Sequence, residues 1–263
     1  MKFKFILTII VISLLLLASC SDKKTTQPAE TAPTVPPQSS MVINFNQFPD
    51  SSNLQKTEFS RSNWGYAALN VTVWNSVLTL TLAVPVAAFL ESFNHQPVLQ
   101  PDGSWLWAYD VNVSGIVYHA KLYGSTEQDG IHWRMLLSKD GAYTDFEWFT
   151  GLSNLPATEG SWMLNKEPND PSEFLSIVWH RNAQDSTGDI KYTNVQTQGY
   201  IFYSKTDESL YNAFYQIFNP QNNNENDIRW NIENWNGGVK DNLYFGDAAW
   251  HCWDENLMDI DCP

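Results

Sequence analysis

Positive charge is scarce in this sequence: 15 Lys and Arg stand against 29 Asp and Glu, a formal net charge of −14. Such a surface repels phosphate backbones and anionic headgroups, which argues against nucleic acid as a partner. Cysteine is scarcer still, three in 263 residues, and no C-x-x-C pair occurs. No G-x-S-x-G elbow, P-loop or H-E-x-x-H is present either. The five histidines, His95, His119, His132, His180 and His251, are scattered. No catalytic residue, metal site or cofactor is therefore assigned, and the chain leans away from an enzyme. From Trp105 onward there is also no helix-length apolar period, which argues against a parallel α/β sheet.

What is present starts with the leader, MKFKFILTIIVISLLLLASC. Lys2 and Lys4 precede an apolar run, Ile6 to Leu17, that has signal-peptide length and is short of the ~20 residues of a membrane span. Leu17-Ala18-Ser19-Cys20 then resembles the lipobox of bacterial lipoproteins; the rival is an ordinary signal peptide with a chance cysteine. The resemblance implies cleavage after residue 19 and attachment of diacylglycerol and an N-acyl chain such as palmitate at Cys20, enough for stable anchoring. Ser21, rather than Asp, after the cysteine implies the outer membrane, with the domain facing the periplasm or the cell surface. Residues 21–40, SDKKTTQPAETAPTVPPQSS, hold no aromatic residue and read as a disordered tether. The expected organisation is a signal peptide over 1–19, lipidated Cys20 and tether over 20–40, and one β-rich domain over 41–263.

In an oxidising compartment, Cys252 and Cys262 are expected to form a disulfide, about 2–3 kcal/mol for so short a loop. Paired thiol metal ligands are the rival, with His251 as their nearest companion. The acidic run Asp254 to Asp261 lacks the glycine and spacing of an EF-hand loop.

From Trp105 the chain reads as about eleven short strands, rich in aromatic and β-branched residues and separated by turn signals. Trp105, Trp107, Trp133, Trp148, Trp162, Trp179 and Trp230 fall on alternating patterns and read mainly as core. Asp140-Gly141 suits a two-residue hairpin turn, which would set Met135 opposite Phe146 and Trp133 opposite Trp148. Residues 64–90, WGYAALNVTVWNSVLTLTLAVPVAAFL, carry no charge at all. They read best as a core helix broken near Pro85, with strands over VLTLTLAV as the alternative; the Asn, Thr and Pro content disfavours a span. The expected fold is a mainly β antiparallel barrel or half-barrel of about 10–11 strands around an N-terminal helix. In outline it is similar to the half-barrel lipoprotein carriers of the Lol type, which implies a non-enzymatic envelope role and an apolar ligand.

A surface glycan-binding module is the second expectation, through the loop aromatics Trp235, Trp250 and Trp253. His119 and His132, with Lys121, Arg134 and Glu147, form either a polar site inside a barrel or an exposed ion-paired face. A hydrolase comes third, since Asp145, Glu147, Asp227 and Glu233 have the right chemistry but no pairing in the sequence.

Overall fold

A computed structural model describes residues 31–42, 48–49, 62–182, 184 and 186–263. The leader, Cys20 and the first ten residues of the tether lie outside the described residues.

The body, 32–263, is built on one antiparallel sheet of fourteen strands in sequence order, and the sheet is not closed. The strands are β1 (Val98–Leu99), β2 (Trp105–Val113), β3 (Ile116–Glu127), β4 (Gly130–Lys139) and β5 (Tyr143–Ser153). They continue as β6 (Glu159–Glu167), β7 (Asp170–Asn182), β8 (Thr187–Asn194), β9 (Tyr200–Lys205) and β10 (Ala213–Asn219). The last four are β11 (Asn224–Trp230), β12 (Gly237–Asp241), β13 (His251–Trp253) and β14 (Asp259–Ile260). The arrangement fits a half-barrel. The eleven runs read from the sequence are β2 to β12; β1, β13 and β14 are two- and three-residue strands too short to show a pattern. Alternation puts Trp107, Leu122, Trp133, Met135, Trp162, Ile177 and Trp179 on one buried inner face.

The β4–β5 hairpin differs from its expected register. Its turn is a three-residue loop, Asp140-Gly141-Ala142, with Gly141 at φ 69°. Irregularities follow between Met135 and Leu136 and between Leu137 and Lys139, with Asp145 at φ 50°. Phe146 therefore pairs with Leu137 rather than Met135, and Trp133 faces Gly151 rather than Trp148. The reason is space: a Cβ at Gly151 would collide with the Trp162 ring, so the inner face has no room there for a second indole.

The uncharged stretch is helical. α1 (Ser62–Thr81) and α2 (Ala83–Glu91) meet at a 70° bend. The break falls at Leu82 rather than at Pro85, because a proline ring clashes with the carbonyl four residues back, here Thr81. No single helix among the described residues is long and apolar enough to cross a membrane. Nor is α1 enclosed: Leu69, Val73, Val77 and Leu80 are 44–79% exposed. α1 packs on β12, β13 and β14, and α2 packs on β2, so the bent pair bridges the two ends of the open sheet. Only α2 carries a well-buried aromatic, Phe89, set among Phe149 and Trp162.

Packed chain begins ahead of Met41. Pro33 lies beside Gly124 and Trp133, and Ala32 and Val35 pack against the core. A short 3-10 turn, Gln38–Ser40, then leads to Met41, fully buried. Buried polar groups hold this segment: the Trp162 indole N–H donates to the Ser40 carbonyl at 3.0 Å, and the Tyr192 hydroxyl to the Met41 carbonyl at 3.0 Å. Ordering of residues 32–40, expected in the tether, comes from these acceptors, since the segment has no core of its own.

Candidate ligand-binding clefts

α1 is pinned at its N-terminal end. The Asp259 carboxylate accepts from the Ser62 N–H (3.1 Å), the Ser62 hydroxyl (2.6 Å) and the Asn63 N–H (3.0 Å). The Asn63 amide donates to the Cys252 carbonyl at 3.0 Å, on the strand tied down by the Cys252–Cys262 disulfide. One turn on, the Tyr66 hydroxyl donates to Asp241 at 2.6 Å and its ring stacks on Tyr244 at 3.7 Å. Asp241 is buried and also accepts from Asn224, the Leu243 N–H and the Tyr244 N–H. Burial and this carboxylate hold the Tyr66 phenol well above its ordinary pKa, so it stays a donor. At the other end the Tyr109 hydroxyl donates to the Ala88 carbonyl at 2.6 Å, fixing α2 to β2.

Between these anchors the second half of α1 rests on the core through Trp74 and Leu78, with an open cleft on each side. The first, about 300 Å³, is lined by Met41, Val42, Asn75, Leu78, Thr79, Leu82, Ala83, Val86, Ala87, Leu90 and Tyr192. The second, about 450 Å³, lies between Trp74, Val77, Leu78 and Thr81 of α1 and the lower ends of β7 to β10, including Phe174, Leu175, Ile201 and Phe218. Leu78 and Tyr192 border both. These volumes are in the range of small-molecule sites. Among the described residues, no charged side chain lines either cleft. The polar groups present are amides, hydroxyls and backbone: Asn75, Thr79, Thr81, Tyr192, Asn194, Thr197, Tyr200, Asn219 and Gln221.

The residues singled out from the sequence lie elsewhere and apart. His119 and His132 sit on the outer face of the β3–β4 hairpin, opposite Ser138 and Ser125 respectively, six residues or ~20 Å apart along the strands. His119 contacts Asp110 (2.7 Å) and Asp140 (3.2 Å), and Lys121 contacts Asp145 (2.9 Å). The exposed, ion-paired face is thus the arrangement found. His132 meets Asp129 at 2.7 Å, and with Glu127 these are the one trio of potential metal ligands among the described residues, on an exposed turn. The hydrogen bond from His132 holds the Asp129 carboxyl below its ordinary range.

The loop tryptophans form no common platform. Trp253 is no loop residue: it belongs to β13, is fully buried, and donates its indole N–H to the Trp235 carbonyl at 2.7 Å. Burial removes Trp253 as a ligand contact. Trp235, at φ 68°, is partly buried against the core. Trp250 lies under Arg229 (4.0 Å) and Lys240 (5.4 Å). The acidic C-terminal run is structural, because Asp254 closes a turn onto Asn256 and Met258 while Asp259 caps α1. Asp145 and Asp227 are each committed to a lysine, Lys121 and Lys240. On the outer face a polar groove of about 470 Å³ runs past Asp102, Ser125, His132, Arg134, Thr150 and Ser161, with Arg134 over the Tyr123 ring at 5.1 Å.

Sequence reasoning missed Leu78, Tyr192, Phe174 and Ile201 as site residues, although the run without charge over 64–90 pointed at half of the cleft wall. No family model matches this chain, and neither a curated protein nor a solved structure matches it.

Proposed function

We propose that this protein is a lipoprotein anchored in the outer membrane through Cys20, with a non-enzymatic binding role in the envelope, and that its ligand is apolar. One observation carries the binding role: two adjoining clefts, about 300 and 450 Å³, flank the second half of α1 and, among the described residues, are lined without a single charged side chain. A helix that filled the half-barrel would leave no such space. The anchor rests on the leader and the lipobox-like Leu17-Ala18-Ser19-Cys20.

Native mass spectrometry of residues 20–263 carrying Cys20→Ser, exported behind a secretion signal and purified gently, tests the reading. Extra mass that disappears on organic extraction is the expected result. A bare mass, together with no uptake of an added apolar probe such as Nile red, would sink it. The anchor is tested apart, by metabolic labelling with a radioactive fatty acid, which Cys20→Ser should abolish.

A surface glycan is the second reading, now favoured by the outer groove around Arg134 rather than by the loop tryptophans. Glycan-array binding lost in Arg134→Ala would support it.

A further inference from the structure

We infer that the clefts beside α1 select an uncharged lipid, one that ends in a hydroxyl, ester or amide, and reject an ionised carboxylate or phosphate. The inference rests on the clefts being the lipid site proposed above, and it deepens that reading by naming the ligand's polar end.

Three observations support it. The described residues offer no Lys, Arg or His to either cleft, so an anionic head drawn into the mouth would be partly desolvated with no cation among them to meet it. The whole molecule is acidic, at −14, and adds long-range repulsion for any anion. The mouth nonetheless provides directional neutral donors. Asn194 and Asn219 turn their side-chain carbonyls inward to the backbone: Asn194 accepts from the Gln196 and Thr197 N–H groups, and Asn219 from the Gln221 N–H. Asn75 likewise accepts from the Thr79 hydroxyl at 3.2 Å. In each case the carbonyl end is occupied and the NH2 end is left as the donor. That pattern suits an ester carbonyl or a hydroxyl oxygen.

The test is displacement of Nile red, a neutral probe, from the chain 20–263 carrying Cys20→Ser, at pH 8. Dodecanol and dodecanoate have the same chain length and differ in the charge of the head. Dodecanol is expected to displace the probe at a concentration at least about tenfold lower. Thr79 is exposed at the mouth of the smaller cleft, so Thr79→Lys should bring dodecanoate to within about twofold of dodecanol, by giving the carboxylate a partner. An unfolding midpoint and a far-ultraviolet circular dichroism spectrum matching those of the unsubstituted chain show that this variant is folded. Dodecanoate matching dodecanol on the unsubstituted cleft, or a ratio that Thr79→Lys does not move, overturns the selectivity and leaves the lipid site standing. No displacement by either compound overturns the lipid site, and the selectivity with it.

Discussion

At the scale of single residues, the core is built from indoles laid over glycines. Trp133 pairs across the ladder with Gly124, Trp162 with Gly151, Trp179 with Gly160 and Trp253 with Gly237. A Cβ on Gly124 would sit 2.8 Å from the Trp133 ring, and one on Gly160 2.8 Å from that of Trp179. A side chain in any of these places would overpack a face where the rings already touch. Gly151→Ala should lower stability by about 1–3 kcal/mol in urea titration, and a neutral result would refute the stacking. The exposed histidines are a separate matter. The Asp110 carboxylate, in hydrogen bond with His119, raises the imidazole above its ordinary pKa. A raised folded value favours the folded state below the ordinary histidine pKa of about 6.5, and that contribution is lost as pH rises through the folded value. An NMR titration should find His119 above the ordinary value, and Asp110→Asn should return it toward that value. These pairings were illegible in the sequence, since alternation tells which face a residue takes but not which residue it meets.

At the scale of elements, α1 has its own reasons to be helical but none to be where it is. It has no acidic residue in its first turn and no basic one in its last, so the cap comes from Asp259, almost two hundred positions away. A carboxylate at a helix N-terminus satisfies free N–H groups and meets the positive end of the dipole. Asp259→Ala should cost about 1–2 kcal/mol, read by urea denaturation. Tyr66→Phe should cost about 1.5–3 kcal/mol, because the buried Asp241 loses one of its donors. If both variants proved neutral, the α1 anchor would have to lie elsewhere. The bend at Leu82 was readable to within three residues, since Pro85 announces it and the clash with Thr81 displaces it.

At the scale of the whole molecule, the sheet is a frame with a gap and the helix pair is a strut across it, fixed at both ends. That geometry accounts for the clefts: the strut is held at Tyr66 and at Ala88, and open space is left beside the residues between. The N-terminal segment wedges under the same strut. A chain beginning at residue 43 should therefore be less stable than one beginning at residue 32 by about 3–5 kcal/mol, through a cavity at Met41 and an unpaired Trp162 indole. Equal stability of the two chains, by thermal or urea unfolding, would place residues 32–42 outside the folding unit.

The eleven longer strands, the antiparallel order, the helical stretch and the Cys252–Cys262 pair were all determined by local sequence, whereas the three short strands β1, β13 and β14 were not. Periodicity, turn residues and spacing act within a dozen positions, and each of these features is that local. The three-residue β4–β5 loop with its bulges, the burial of Trp253, the remote cap from Asp259 and the unfilled clefts were decided only by the tertiary structure. Each depends on which surfaces meet once an open sheet has curved, and that is a property of long-range packing with no trace in any short run of residues.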